Sequence, residues 1–329
     1  MLWILWLKKF EFSKFKGLMK IPKNNLINKV FLLIFEIVLY NLIVNYKFFN
    51  NKIKISICTM GKNENLYIKE FVEYYIKLGI DHIFIYDDNE QKTEKMSNIL
   101  GRKYKDKVTI YDNIKDTIKH QSDAFTNCYH NNLKKYDWFL MIDMDEYLFI
   151  VNNTLKNYLS NQIFNKCDFI KINWVIPNDN NLLNYDSRPL FKRFRGPYMK
   201  SHFIKSIIRG NIQNLKYWVH SPFFSPKKNT TCNNEGKKIF YKKKMNFESL
   251  YPINIKKAFI IHYRYKSTEE FVNKYKRGYK DWYGNRTNKF LKSIIKEFFK
   301  VNKITIKKIN YIEKKLNLNL SEYRNKLNK

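Results

Sequence analysis

The amino-acid sequence predicts an α/β fold, in which helices flank a doubly wound, mostly parallel β-sheet and helical extensions lie at both the N- and C-terminal ends. Three observations predict it. Strand-like and helix-like segments alternate from Lys52 onward, at lengths typical of right-handed βαβ units. Several strand-like segments end in acidic residues. Of the 329 residues, 44% are hydrophobic, which is enough for a large core.

The first βαβ unit has the clearest pattern. Residues 53–60 form a β-branched run that predicts a buried strand, and residues 82–88 predict the next one. Between them, Asn63 and Asn65 are expected to cap a helix that ends at Gly79. The buried face of this helix is predicted to consist of Ile68, Phe71, Val72, Tyr75 and Ile76.

The alternation continues to residue 142. Helices are predicted after Thr93 and over 122–134, and strands over 107–111 and 138–142. The carboxyl ends of parallel strands form the ligand-binding edge of such a sheet. We therefore expect the polar residues that follow three of the strands to lie together; they are Thr59, Lys62, Asn63, Glu64, Asp87, Asp88, Asp143, Asp145 and Glu146.

The pattern is looser beyond Asn153. Ser267 and Glu270 form a capping-box signature that predicts the start of the last helices. Loops rich in Asn and Pro separate three further strands, predicted over 169–176, 202–209 and 258–263. We expect this half of the chain to complete the sheet and to supply a binding loop, rather than to form an independent domain.

The two ends of the chain differ in composition from its centre. Residues 30–44 are apolar but contain Glu36 and Asn41, and they are fewer than the about 20 residues that a membrane-spanning helix needs. They favour an interfacial or docking helix over a single-pass anchor, so the chain is expected to be membrane-associated or cytoplasmic. This divides the chain into an N-terminal segment, a central α/β domain and a basic helical extension, over 1–50, 51–285 and 286–329.

The chain is strongly basic, with 62 Lys and Arg against 29 Asp and Glu and a net charge of +33. Such a charge attracts polyanions, phosphorylated small molecules and anionic membrane surfaces. No nucleic-acid-binding module is recognisable, so a specific nucleic acid is not expected as a partner. The most basic stretch, residues 290–329, keeps helical apolar spacing, which fits either a solvated amphipathic helix or a membrane-surface helix.

The four cysteines lie far apart in the sequence. They form no C-x-x-C motif and have no histidine at zinc-binding spacing, which argues against a structural zinc site. Their apolar surroundings predict buried thiols in a reducing compartment, with a single disulfide as the alternative. The residues are Cys58, Cys128, Cys167 and Cys232.

The densest chemical signal is the run WFLMIDMDEYLFI at 138–150. On a strand, Asp143 and Asp145 would project from the same face, with Met144 pointing into the core. Two carboxylates after an apolar run need water, a base or a cation. A hard divalent ion such as Mn²⁺ or Mg²⁺ meets that need and completes its shell with phosphate oxygens of a substrate. An acidic surface turn is the alternative.

Four segments, in this order, resemble motifs of the GT-A glycosyltransferases of the family 2-like and family 92 (DUF23) groups. They are CTMGKNENLYIKEFVEYYIKLGIDHIFIYDDN, QSDAFTNCYH, WFLMIDMDEYL and HYRYKSTEEFVNKYKRG. The resemblance runs from about Lys52 to about Tyr279. It implies a GT-A fold and metal-dependent, inverting transfer of a sugar from a nucleotide-sugar donor, with a UDP-sugar preferred, to a hydroxyl of a glycan or glycolipid acceptor.

The resemblance also implies roles for single residues. Asp145 would bind the metal ion, Asp143 would assist through the metal or the donor sugar, and His220 is favoured over His262 as the further metal ligand. The residues that would line the nucleotide and diphosphate site are Thr59, Lys62, Glu64, Asp87, Asp88, Asp143, His262, Lys266 and Arg277.

An inverting transfer needs a carboxylate that accepts the proton of the acceptor hydroxyl. Asp179 and Asp186, in the loop NWVIPNDNNLLNYDSRP, are the candidates. This loop departs from the family pattern, because IPNDNN stands where a Gly-containing stretch is expected. Trp174 either stacks on a sugar or belongs to the core. The alternative functions are a basic membrane- or nucleic-acid-binding protein and a non-catalytic relative on the same scaffold.

Overall fold

The computed structural model describes residues 53–112, 114, 118, 120–223, 228–240, 249–277 and 288–327. All of them belong to the unit Ile53–Lys329. The strands among them are β1 (Ile55–Gly61), β2 (His82–Asp87), β3 (Val108–Tyr111), β4 (Trp138–Met141), β5 (Glu146–Ile150), β6 (Phe169–Pro177), β7 (Tyr198–Arg209), β8 (Lys216–Tyr217), β9 (Pro222–Phe223), β10 (Thr231–Asn233) and β11 (Ala258–His262).

The helices vary from one turn to about four turns in length. In chain order the described α-helices are α1 (Ile68–Leu78), α2 (Met96–Leu100), α3 (Gln121–Asn131), α4 (Leu155–Leu159), α5 (Leu190–Arg193), α6 (Thr268–Arg277), α7 (Asn288–Val301), α8 (Ile306–Leu316) and α9 (Ser321–Leu327).

Nine of the described strands form one mostly parallel sheet. Its order is β3-β2-β1-β4-β7-β6-β11-β5, and β10 pairs with β6. Strands β7 and β5 run antiparallel to their neighbours, whereas the pairs β1–β2, β1–β4, β2–β3 and β6–β11 are parallel. The predicted α/β class is therefore confirmed, with β8 and β9 forming a separate two-stranded hairpin.

The local predictions for the first unit are confirmed at one end of α1 and wrong at the other. Gly79 ends the helix in a left-handed conformation, with φ of 104°, and donates its N–H to the carbonyls of Ile76 and Tyr75. The N-cap is Tyr67, which makes no side-chain capping bond, and neither predicted asparagine caps the helix. The backbone N–H of Asn63 instead donates to Asn89 Oδ1, at 2.7 Å.

The Asp143-Met144-Asp145 motif lies in a turn, not on a strand as predicted. Strand β4 ends at Met141 and β5 begins at Glu146, so the motif occupies the connection between them. Met144 does point into the core, where it is 1% exposed. Side chains alternate between the two faces of a sheet only within a strand, so the predicted common face of Asp143 and Asp145 does not follow in this turn.

The apolar face of the C-terminal helices is covered by protein. Ile294, Ile295, Phe298 and Phe299 of α7 are buried in a cluster with side chains of α6 and α8. The phenyl rings of Phe298 and Phe271 stack at 4.2 Å between centroids. This packing contradicts the membrane-surface helix considered for residues 290–329, because the residues that would enter a membrane already form part of a core.

The prediction of free thiols is wrong. Disulfides join Cys58 to Cys128 and Cys167 to Cys232, so both pairs in the chain are bonded. The first connects β1 to α3, and the second connects the segment just before β6 to β10. The partners are 70 and 65 residues apart in sequence, so that only the packing of these elements brings them together.

No helix in the described part of the chain has the length and apolar character needed to cross a bilayer. The apolar segment 30–44, on which the predicted anchor depends, lies outside the described residues.

Candidate active site

Three carboxylates converge on one short turn at the carboxyl end of β4, residues 143–146, which we call the acidic turn. The N–H of Asp143 donates to Glu146 Oε2 at 2.9 Å, and the N–H of Glu146 donates to the carbonyl of Asp143 at 3.1 Å. These two hydrogen bonds close the turn. Asp145 and Glu146 are buried, whereas the Asp143 side chain is 25% exposed.

A buried lysine of β7 neutralises one side of this turn. Because Met141 pairs with Ser206 in the antiparallel β4–β7 register, Lys205 lies beside the residues that follow β4. Its Nζ is 2.8 Å from Asp143 Oδ1 and 3.8 Å from Glu146 Oε2, and it also donates to the carbonyl of Val219. Burial alone would lower the pKa of Lys205, but Asp143 and Glu146 together raise it above its ordinary value.

A second lysine, on α6, binds the opposite side of the turn. Lys274 Nζ is 2.6 Å from Asp145 Oδ2, and His262 Nε2 is 3.5 Å from Asp145 Oδ1. Burial favours the neutral acid, yet Lys274 and His262 outweigh it and hold the pKa of Asp145 well below its usual range. Asp145 is therefore a carboxylate at neutral pH.

His262 lies between two of the three carboxylates. It pairs with Glu146 in the antiparallel β11–β5 register, so their side chains share one face of the sheet. Its Nδ1 is 3.8 Å from Glu146 Oε1, and neither atom hydrogen-bonds to any other described residue. Burial lowers the pKa of His262, although Asp145 opposes the change, and this favours the neutral ring. Burial likewise raises the pKa of Glu146, against the effect of Lys205.

The predicted nucleotide-site residues divide into two groups. Thr59 lies near the end of β1, and its Oγ1 is buried with no hydrogen-bond partner in the described part of the chain. Glu64 and Lys266 form a buried ion pair at 3.0 Å, and Lys266 Nζ lies 3.7 Å from the centre of the Tyr67 ring. Burial lowers the pKa of Lys266, although Glu64 and Asp145 oppose the change.

The other predicted residues mainly organise loops. Asp87 accepts the N–H groups of Asn89 and Met96, each at 2.9 Å, and so fixes the loop after β2. Asp88 is buried and donates its N–H to the carbonyl of Gly61. Lys62 pairs with Glu90 at 3.1 Å near the surface. The side chain of Arg277 lies outside the described residues.

The two late histidines differ in their surroundings. The His220 ring packs edge-on against Trp174, with 5.1 Å between the ring centroids, and burial holds its pKa well below the usual range. His262 also packs against Trp174, at 4.4 Å, but it presents Nε2 to Asp145. The geometry thus favours His262 over His220 beside the acidic turn. Trp174 is a core residue, 2% exposed.

Asp179 and Asp186, the two candidate bases, each form an ion pair with a basic side chain. Asp179 is buried, and its Oδ2 lies 2.6 Å from Nζ of Lys308. Arg188 donates several hydrogen bonds from its guanidinium group to the Asp186 carboxylate, and these lower the pKa of Asp186 to about 2. A carboxyl with so low a pKa is a weak proton acceptor, and Asp179 stabilises the contact between its loop and α8.

Within the described residues, no three His, Cys, Asp or Glu side chains form a metal-binding cluster. The residues still fit an ion that takes only two protein ligands. Asp145 Oδ1 and His262 Nε2 are 3.5 Å apart, close to the about 3 Å that separates neighbouring ligands when bonds are about 2.1 Å long. Divalent ions bound for phosphate chemistry commonly use few protein ligands and complete their shell with water and phosphate.

Sequence reasoning missed the residues that complete the acidic turn. They are Gln121 and Lys205, which donate to Asp143 Oδ1 at 2.6 Å and 2.8 Å. Lys205 did carry a signal, since it stands inside the apolar strand sequence HFIKSII. A lysine inside a buried strand requires a carboxylate partner, but the sequence does not show which one.

Comparisons with known proteins identify the family of this chain. The family model for glycosyltransferase family 92 matches residues 51–320. A family 92 protein of Oryza sativa subsp. japonica is 27% identical over 106 residues, which are 32% of this chain and 18% of that protein. One of Ricinus communis is 26% identical over 110 residues, 33% of this chain and 20% of that protein. The matched segments thus span a fifth or less of these relatives.

A structural comparison also finds mannosyl-3-phosphoglycerate synthase from Rubrobacter xylanophilus. It has a TM-score of 0.29 and 13% identity, over 48% of this chain and 54% of that one. The family model is the stronger finding, since it extends from the start of the described unit to the last helices. This chain belongs to glycosyltransferase family 92.

Proposed function

We propose that this protein is a glycosyltransferase that moves a sugar from a nucleotide-sugar donor to a hydroxyl group of a glycan or glycolipid. The observation that carries the proposal is the acidic turn at the carboxyl end of β4, faced by His262 and flanked by Lys205 and Lys274. The turn lies at the edge where open α/β sheets bind ligands, and family membership supports the same activity.

The departing group in such a transfer is a nucleoside diphosphate, on which negative charge develops. Asp145 and His262 would hold a divalent ion, Mn²⁺ or Mg²⁺, and this ion would stabilise that charge as a Lewis acid. Among the chain's own groups, Lys274 contacts Asp145, and Lys266 is close enough to lower the pKa of Asp145. Both lysines add positive potential where the diphosphate would bind.

The first βαβ unit is the proposed site of the nucleotide. The hydroxyl of Thr59, which has no hydrogen-bond partner among the described residues, lies near the end of β1. Glu64, the ion-pair partner of Lys266, follows this strand along the chain. Asp143, held by Gln121 and Lys205, would contact the ribose or the donor sugar. A UDP-sugar remains the preferred donor, and an inverting reaction the preferred course, on family grounds.

A ligand-binding experiment tests this proposal. The melting temperature would be measured with UDP-, GDP- and CMP-sugars, each with and without Mn²⁺, because a ligand that binds only the folded state stabilises it. We expect one nucleotide class to raise the melting temperature, and the rise to require both Mn²⁺ and Asp145. Asp145→Asn should lose most of the shift.

Asp81→Asn is the matched control. Asp81 also pairs with a lysine, Lys156 at 2.7 Å, but it precedes β2 and therefore lies at the amino end of the strands. This variant should keep the ligand-induced shift whatever its own stability. Equal shifts in wild type and Asp145→Asn would contradict the site. No shift with any donor, in a folded protein, would favour the basic binding protein or the non-catalytic relative.

A further inference from the structure

Two buried polar atoms beside the acidic turn face each other without a hydrogen bond. They are Oε1 of Glu146 and Nδ1 of His262, 3.8 Å apart, and neither bonds to another described residue. Buried polar atoms are nearly always paired, because an unpaired one costs about 1–3 kcal/mol. This open pair therefore needs an explanation, and an ion bound to the other nitrogen of His262 would supply one.

The two ring nitrogens of His262 face different carboxylates. Nε2 is 3.5 Å from Asp145 Oδ1, and Nδ1 is 3.8 Å from Glu146 Oε1. A neutral imidazole has one proton, and the nitrogen that binds a metal ion is the one without it. Binding at Nε2 therefore requires the proton on Nδ1, where Glu146 Oε1 is the nearby acceptor.

We propose that Glu146 is a positioning residue, which holds the proton of His262 on Nδ1 and so leaves Nε2 free to bind the divalent ion. This inference rests on the proposed function, because the ion is part of it. Closing the gap between Oε1 and Nδ1 by about 0.8 Å gives an ordinary hydrogen bond.

The geometry of the turn makes a carboxylate necessary at position 146. Oε2 of Glu146 already accepts the N–H of Asp143 at 2.9 Å, so only Oε1 is available to His262. A glutamine has one oxygen, and the N–H of Asp143 would retain it. The amide NH₂ would then face Nδ1 and donate to it, which places the histidine proton on Nε2 and blocks the metal-binding nitrogen.

Glu146→Gln is therefore the decisive variant, because it keeps the size and shape of the side chain. The affinity for Mn²⁺ would be measured by electron paramagnetic resonance and calorimetry on the full chain, in the presence of UDP and at one fixed pH. Loss of an outer-shell partner typically lowers metal affinity about 10–100-fold, and we expect a loss in that range. Unchanged affinity in this variant would overturn the proposal.

Glu270→Gln is the matched control. Glu270 is also largely buried, accepts a backbone N–H, from Ser267, and pairs with a cation, Arg193 at 2.8 Å. We place it outside the metal site, so its replacement should leave the Mn²⁺ affinity within about twofold of the wild type. An equal loss of affinity in both variants would show a general effect of removing a buried charge and would overturn the specific role of Glu146.

A second measurement does not depend on the folding of any variant. Nitrogen-15 NMR of histidine in the wild-type protein, loaded with UDP and diamagnetic Mg²⁺, reports which ring nitrogen has the proton. We expect Nδ1 of His262 to be protonated, and a proton on Nε2 would overturn the proposal. A wild type that binds no divalent ion would refute the metal in the proposed function together with this inference, whereas equal binding by wild type and Glu146→Gln refutes this inference alone.

Discussion

Two buried clusters in this molecule join lysines to carboxylates, and they differ in whether a cation or a donor contacts each carboxylate oxygen. Between α8 and the loop after β6, Lys308 Nζ is 2.6 Å from Asp179 Oδ2 and also donates to the carbonyl of Lys303. Asp179 Oδ1 accepts the N–H of Asn181. In the acidic turn, by contrast, Glu146 Oε1 has no hydrogen-bond partner among the described residues, and its neighbour His262 Nδ1 lies 3.8 Å away.

We interpret this difference as one between a structural ion pair and the proposed binding site. In the Asp179–Lys308 pair, one carboxylate oxygen accepts a backbone N–H and the other contacts the lysine ammonium, and the pair connects a loop to a C-terminal helix. The acidic turn has several charged groups close together and still keeps unpaired atoms. Such a concentration of buried charge costs stability unless it serves a ligand, which is why we propose this turn as the binding site.

The strongest test of this comparison is removal of the Asp145 carboxylate, which lies beside Nε2 of His262. Asp145→Asn should lower the rate of sugar transfer at least about 100-fold, since a direct ligand should matter more than the outer-shell groups that cost 10–100-fold. Transfer or donor hydrolysis would be measured with the donor identified by the melting experiment, and circular dichroism would check the fold. Transfer at the wild-type rate would show that the acidic turn is a structural feature like the other cluster.

Breaking the structural pair should affect stability instead. Lys308→Met leaves the Asp179 carboxylate buried without its cation, which we expect to lower the free energy of unfolding by about 3–5 kcal/mol. Urea denaturation measures the change. The exposed Lys300 of α7 is the matched control, and Lys300→Met should change stability little. If both variants had the same stability, the Asp179–Lys308 pair would contribute nothing that the comparison assigns to it.

The disulfide at the far edge of the sheet should separate stability from ligand binding. Cys167 lies just before β6, at the amino end of this strand, whereas the candidate site lies at the carboxyl ends of the strands. Replacing Cys167 and Cys232 together by alanine should reduce the free energy of unfolding by about 2–4 kcal/mol. The affinity of the folded protein for UDP and Mn²⁺ should not change, and a marked fall in that affinity would mean that the two regions are coupled.

The smallest expected effect concerns the exposed pair of Asp186 and Arg188. Arg188 lowers the pKa of Asp186 from 3.8 to about 2 by hydrogen bonding. Because the folded-state pKa is the lower one, the stabilising effect is present above pH 3.8 and is lost as the pH falls through about 2. Carbon-13 NMR of the carboxyl group should show this pKa, and Arg188→Gln should return it toward 3.8. A normal pKa in the wild type would restore Asp186 as a candidate base.

The sequence by itself determined the local elements and the edge at which the site lies. Strand and helix periodicities follow from neighbouring residues, so β1, α1 and β2 were predicted nearly to their ends. The capping box is also local, and Ser267 and Glu270 form it, with the N–H of Glu270 donating to Ser267 Oγ at 3.3 Å. The acidic residues after β4 were expected at the ligand edge because parallel strands share one direction.

Only the tertiary structure decided which side chains meet there. The β11–β5 register sets His262 opposite Glu146, and the β4–β7 register brings Lys205 to Asp143. Lys274 reaches Asp145 because α6 packs near the turn. The same holds for the pairing of the four cysteines. These contacts join residues far apart in the chain, and strand register and helix packing depend on the whole core, so no local pattern determines them.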